Sequence, residues 1–306
     1  MAPHELAVPK GSTVLVTGVN GLLGSHTADQ FLEHGYKVRG TVRDTEKNAW
    51  IQALFDKKYG KGSFELFKVA DLTAEGAFDE AVKGTSVVAH SASIVTFAAD
   101  PNAVIPQAIA FAVNALKSAY KEPSVKRFVL TSSSSAAVVS DPSVPGAEIT
   151  EDSWSEAAVK AAWADPPYTE DRGGVVYAAS KTQSEQEVWK YHKENRSKRP
   201  DLVVNTEYYI DVQDTGRLHV AAAIFDDVKD QRIFGFAGRF NWDQVLDILR
   251  KTAPNKKFPD NFSGASDPNE IKPVDKAEQL LRDLGRPGWT SLEETVLANI
   301  SDVRDN

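Results

Sequence analysis

The first 140 residues alternate short apolar stretches with longer amphipathic ones. Thr13-Val-Leu-Val-Thr17 reads as a buried strand. A helical pattern follows from Leu22 to about His34, with Gly35 placed to release the helix. Lys37-Val-Arg-Gly-Thr-Val42 predicts the second strand, and Phe64 to Val69, Val87 to Ala89 and Phe128 to Thr131 predict three more. Helical patterns separate all of them. Strands alternating with helices build a parallel sheet through right-handed crossovers. The expected fold is therefore α/β, a doubly wound parallel sheet. From Asp141 to Gly174 the chain is richer in Pro, Ser, Asp and Glu, and reads as an irregular excursion with one short helix around Ser155 to Trp163. A strong helix is predicted from Tyr177 to about Asn195, then a strand at Leu202 to Asn205. The tail predicts helices at Trp242 to Arg250, at Lys276 to Leu284 before Gly285 and Pro287, and at Leu292 to Ile300. No repeat and no linker divides the chain. Residues 1–206 are expected to form a dinucleotide-binding domain, with 207–306 completing the sheet and supplying a small, partly helical substrate part.

Composition narrows the class. With 42% hydrophobic and 25% charged residues the 306-residue chain matches a folded globular protein, which excludes disordered and fibrous classes. Apolar runs such as Phe128 to Leu130 are far too short to span a membrane, and the N-terminus carries an acid and no apolar leader. The absence of cysteine excludes disulfides, thiolate catalysis and cysteine-ligated metal. A net charge of −8 argues against nucleic acid as the partner. A cytoplasmic enzyme acting on a small molecule, as monomer or homodimer, is the expectation.

Gly18, Gly21 and Gly24 lie between the first strand and first helix, in Thr17-Gly-Val-Asn-Gly-Leu-Leu-Gly24. Glycine there permits a tight turn and close approach of a pyrophosphate, and the helix N-terminus offers free N–H groups. Asn20 and Leu22, within the same turn, belong to the expected cofactor contacts. The second strand should end beneath the adenosine ribose, where NAD requires a carboxylate. Val42 stands there instead, and Arg43 can pair with a 2′-phosphate, so NADP is favoured. Asp71 and Leu72, after the third strand, would meet the adenine; a simple loop cap is the competing role for Asp71. Tyr177 and Lys181 lie four apart on one helical face. A phenol ionises near about 10 in water, and a neighbouring ammonium stabilises its phenolate. The run Thr131-Ser-Ser-Ser-Ser135 ends a strand, where open α/β sheets bind ligands, and one hydroxyl there could hold a carbonyl oxygen. His90 follows a buried strand and is read as cofactor-pocket lining; no His or Cys cluster completes a metal site, so no metal is expected. Phe97, Trp154 and Trp163 are candidates for a substrate wall or for core packing.

Together, Thr17-Gly-x-x-Gly-x-x-Gly24, Arg43, Leu130-Thr-Ser-Ser133 and Tyr177-Ala-Ala-Ser-Lys181 resemble the extended short-chain dehydrogenase/reductase family. Lys37 to Arg43, Val125 to Ser133 and Gly285-Arg-Pro-Gly-Trp289 resemble its fungal NADPH-dependent aldehyde and ketone reductases, relatives of dihydroflavonol reductases. The resemblance implies a catalytic trio of Ser133, Tyr177 and Lys181. Ser133 is preferred over Ser134 and Ser135 as the second residue after the strand's threonine. It also implies a structural role for Asn114. Hydride would pass to an aldehyde or ketone, with Lys181 binding the ribose. Two other readings stay open: a hydroxysteroid dehydrogenase or sugar-nucleotide epimerase, and a non-catalytic NADP-binding sensor. Ala112-Val-Asn-Ala-Leu116 lacks the epimerases' Gly-Thr before its asparagine. The chain departs from the family in one place. Leu202-Val-Val-Asn-Thr206 runs directly into Glu207-Tyr-Tyr-Ile-Asp211, where the family inserts a proline-bearing loop, a helix and a substrate loop before a strand resembling Tyr209 to Asp214. Cofactor binding with poor turnover is the expected behaviour.

Overall fold

Seven parallel strands take the order β3-β2-β1-β4-β5-β7-β8. They are β1 (Thr13–Thr17), β2 (Lys37–Val42), β3 (Phe64–Lys68), β4 (Val87–His90), β5 (Arg127–Thr131), β7 (Val203–Glu207) and β8 (Arg232–Ile233). The computed structural model describes residues 4–141, 143–207, 210–262 and 264–301. Helices α1 (Leu22–Glu33), α2 (Ala49–Tyr59), α3 (Pro101–Lys121) and α5 (Gly173–Asn195) supply the crossovers. The chain steps outward from β1 to β3 and returns to place β4 on β1's other side. The sheet therefore reverses its winding between β1 and β4, which is where open sheets of this kind bind ligands.

Both faces of the sheet are covered. Val14, Val16, Val38, Val87 and Val129 pack towards α1 and α6 (Val212–Ile224), with Phe31 and Leu218. Leu15, Val88, Phe128, Leu130 and Val204 pack on the opposite face against α3 and α5, with Leu116 and Val188. Burial on two faces removes the polar half of a strand's alternation, so these strands read as nearly continuous apolar runs. The tail adds α7 (Trp242–Thr252), α8 (Val274–Asp283) and α9 (Leu292–Asn299). Within the irregular excursion lie α4 (Glu156–Ala162) and the two-residue β6 (Glu148–Ile149), which pairs with β9 (Glu270–Ile271).

Two expectations need correction. The helix predicted from Tyr177 starts at Gly173, so Tyr177 sits in its second turn. Gly173 is required there because a Cβ would lie 2.2 Å from the Phe97 carbonyl oxygen. The strand expected by resemblance at Tyr209 to Asp214 is not formed over its described residues. Asp211 instead caps α6, its side chain accepting the N–H groups of Gln213 and Asp214. Tyr209 lies outside the described residues.

Candidate active site

The glycine turn builds one wall of a cleft of about 680 Å³ at the β1/β4 switch point. Gly18 takes a positive φ of 65°, and a Cβ on Gly24 would lie 2.3 Å from the Gly18 carbonyl oxygen. Turn and helix therefore touch backbone to backbone. Gly21 is the N-cap of α1, no side chain caps that end, and no acid occupies the first turn. Its free N–H groups and positive dipole remain available to an anion. Asn20, Leu22 and Leu72 line the cleft with the glycines. Arg43 lines it too, exposed, and makes no hydrogen bond or ion pair among the described residues. The adjoining Asp44 makes no ion pair with it among the described residues; its Oδ1 accepts the Lys47 N–H at 3.1 Å. Asp71 is placed less favourably. It is absent from the cleft lining, and its Oδ1 accepts both the N–H (2.8 Å) and the hydroxyl (2.6 Å) of Thr73. Those bonds hold its carboxyl below the usual range, as befits a loop cap beside Leu72. Asn114 braces the same loop by donating to the carbonyls of Leu72, Thr73 and Ala74. A close-approach turn, an uncapped helix N-terminus and an unpaired guanidinium in one cleft fit a dinucleotide phosphate group.

The end of β5 sorts its serines by their hydrogen bonds. Ser132 Oγ donates to Glu185 at 2.6 Å and is committed there. Ser134 is exposed. Ser133 is buried, and its Oγ accepts both the N–H (3.3 Å) and the hydroxyl (2.8 Å) of Ser135. Two acceptor positions filled leave the Ser133 hydrogen to be donated. Lys181 is buried on α5, and its Nζ donates to the Thr131 carbonyl at 3.2 Å, two residues before Ser133. Burial pushes its ammonium down to about 8, against the opposing pull of the Glu185 carboxylate one turn on. Tyr177, one turn before Lys181, is half-buried with its ring 5.2 Å from that of Phe97.

The structure thus joins Lys181 to the end of β5, two residues before Ser133, but none of the trio lines the 680 Å³ cleft. Lys181 lines a smaller cavity behind it, and Ala92 and Ser93 border both. His90 is corrected from cleft lining to that inner cavity, because it ends β4 behind the 91–96 segment. The sequence reading missed Ser91 to Thr96 as a cleft wall and Glu185 as the anchor of Ser132; position directly after a buried central strand was the available signal for the former. Trp154 carries the Arg232 guanidinium 3.8 Å over its ring, and Trp163 donates its indole N–H to Gln183. Neither residue lines the cleft. Among the described residues no group of three or more His, Cys, Asp or Glu is arranged to hold a metal, and no helix is long and apolar enough to cross a membrane.

Known proteins share this framework. The fold matches the crystal structure of yeast methylglyoxal/isovaleraldehyde reductase Gre2 complexed with NADPH, with a TM-score of 0.79 at 23% identity over 96% of this chain and 98% of that one. The chain is 38% identical to aldehyde reductase 2 of Sporidiobolus salmonicolor over 97% of each protein. It is 36% identical to the NAD-dependent epimerase/dehydratase terH of Aspergillus terreus, over 97% of this chain and 98% of that protein. The alignment with the aldehyde reductase spans 337 positions, more than 306 residues can fill, so the relative carries positions with no counterpart here. The family model matches residues 14–203, and the chain belongs to the NAD dependent epimerase/dehydratase family.

Proposed function

We propose that the protein is an NADPH-dependent reductase of aldehydes or ketones. The observation that carries this reading is the Lys181 ammonium, buried one helical turn from Tyr177 and tied to the Thr131 carbonyl beside Ser133. Residues 1–206 would form the cofactor domain, and 207–306 would complete the sheet and border the substrate. The glycine turn from Gly18 to Gly24 would hold the pyrophosphate, with Asn20, Leu22 and Leu72 against the nucleotide and Arg43 on the 2′-phosphate. Asp71 would stand at the adenine rim. Bound there, NADPH supplies the hydride that reduces the carbonyl carbon. Ser133 donates its free hydroxyl hydrogen to the substrate oxygen, and Tyr177 gives that oxygen its proton. Lys181 binds the ribose and stabilises the phenolate left on Tyr177. The relationship to an aldehyde reductase supports the carbonyl substrate.

A panel of aldehydes and ketones with NADPH and NADH, followed by loss of reduced-cofactor absorbance, tests this reading. Tyr177→Phe should lower turnover by at least about 100-fold while NADPH affinity stays within about twofold, since the ring remains and the proton does not. Retained turnover in this variant would remove Tyr177 as the donor. Tight NADPH binding with no turnover of any carbonyl would favour a nucleotide sensor.

A further inference from the structure

The small cavity behind the Ala92–Ser93 backbone has about 10 Å³ of space, the room of a single water. His90 from β4, Lys181 and Ser184 from α5, Thr131 at the end of β5 and Ser132 just after it line it. Two of these residues carry buried polar atoms with no hydrogen-bond partner among the described residues: His90 Nε2 and Ser184 Oγ. Leaving such atoms unpaired is costly, because their desolvation is not compensated.

The tautomer of His90 follows from its neighbour. Thr17 Oγ1 accepts the N–H of Ser91 at 3.1 Å and of Ala92 at 3.0 Å, which fills both of its lone pairs. Its own hydrogen must then be given to His90 Nδ1, 3.0 Å away. An imidazole that accepts at Nδ1 carries its hydrogen on Nε2. Burial, with the nearby Lys181 ammonium, pushes His90 down to about 3, so the ring stays neutral in this tautomer. The cavity is therefore rich in donors. His90 offers Nε2–H, Lys181 has N–H bonds beyond the one given to Thr131, and the Ser184 hydroxyl can give or take.

We infer that a structural water occupies this cavity, accepting from His90 Nε2–H and Lys181 Nζ and donating to Ser184 Oγ, and that His90 acts through it as a positioning residue for the catalytic lysine. One water has two acceptor and two donor positions, which matches the three groups. By accepting from the ammonium, the water offsets part of the desolvation that pushes Lys181 down to about 8. Thr17 precedes Gly18, so the same imidazole links the nucleotide turn to the lysine. The other ionisable groups around Lys181 are accounted for. On α5 they are Tyr177 one turn back and Glu185 one turn on, the latter held by Arg232 of β8. Across Thr131 lie His219 of α6 and Glu207 of β7, paired with each other. From α3 the cavity receives only Ala108 and Ala112.

The catalytic consequence rests on the role of Lys181 proposed above, whereas the water itself does not, and the test has two arms. A crystal structure of the unmodified protein at high resolution should show a density peak within hydrogen-bond distance of His90 Nε2, Ser184 Oγ and Lys181 Nζ. No peak, or one that refines as an anion, overturns the assignment whatever the enzyme turns over. In the second arm the pH profile of kcat is compared across variants, because its alkaline limb reports loss of the lysine proton. His90→Phe fills similar space without the N–H and should move that limb to lower pH by about one unit. His90→Gln, which restores a donor, should return it to within about 0.3 unit of the parent. An unmoved limb in a folded His90→Phe, or equal shifts in both variants, overturns the positioning role; should His90→Phe fail to fold, Ser184→Ala is read in its place and should shift the limb in the same direction.

Discussion

Glu207 is the last residue of β7 and stands opposite Thr131 in the sheet register. Its carbonyl accepts the Ser132 N–H at 2.7 Å, while its fully buried carboxylate pairs with His219 Nδ1. His219 Nε2 meets Thr131 Oγ1 at 2.7 Å, so one buried pair braces the segment that carries Ser133. Burial raises Glu207 to about 7 even though the His219 charge opposes it. For His219, burial acts downward and is overcome by the Glu207 carboxylate, so its value also ends raised. The pair therefore holds a proton in the folded chain that the glutamate of the unfolded chain releases at lower pH. That contribution is complete below the ordinary glutamate value and is lost as pH rises through about 7. Glu207→Gln, which cannot ionise, should gain on the parent between pH 5 and pH 8, by on the order of 2–3 kcal/mol in urea unfolding. A difference that stays flat across this range would show that the pair does not titrate with folding. Arg43 differs in being exposed and unpaired in the cleft. Arg43→Ala should weaken NADPH binding by about 1.5–3 kcal/mol and leave NADH nearly unchanged, because only the former carries the 2′-phosphate. Calorimetry with both cofactors checks it, and equal losses would assign Arg43 some other role.

Among the elements, α6 shows what a cap does for a helix that begins directly after a strand. Asp211 Oδ1 accepts the N–H of Gln213 at 2.9 Å and of Asp214 at 3.3 Å, and its Oδ2 accepts the Thr295 hydroxyl from α9 at 2.8 Å. Asp211→Ala should lower unfolding free energy by about 1–2 kcal/mol, and Asp211→Asn by less, both read from denaturant midpoints. No loss in the alanine variant would mean that water replaces the cap. This helix was also the least legible element in the sequence. An aspartate ahead of Val212 is a sound start signal, but resemblance to the family expects a strand there. Strands β1, β4 and β5 were legible because burial on both faces leaves a nearly unbroken apolar run. The two-residue β6, β8 and β9 were not, since alternation has no meaning over that length. The site divides in the same way. The glycine turn and the Tyr177/Lys181 pair depend on local spacing, which a sequence displays. The bond from Ser132 to Glu185 spans 53 positions, and the tautomer of His90 depends on Thr17 from another strand. Such contacts exist only once the sheet has formed.

At the scale of the whole molecule, the decisive feature is the direct passage from β7 to α6. The aldehyde reductase relative fills alignment positions that this chain lacks, and we propose that the shortfall lies near Thr206 and Glu207. A shortened wall there would leave the reacting carbonyl nearer to water and less firmly placed. Water weakens the electrostatic help available to a developing oxyanion, and misplacement by about 1 Å can cost roughly 100-fold. The glycine turn and Arg43 belong to β1, α1 and the end of β2, remote from β7 in the sheet order. They should bind cofactor regardless. The expected behaviour is NADPH affinity in the ordinary range with turnover at least about 10-fold below the aldehyde reductase relative, measured side by side. Grafting that relative's loop and helix between Thr206 and Glu207 should raise the rate. The graft also moves Glu207 out of β7, which would separate it from His219. A second graft placed after Glu207 keeps the pair and isolates the effect of the added wall. If both grafts fail to raise turnover while NADPH binding is retained, the shortened connection is not what limits the reaction.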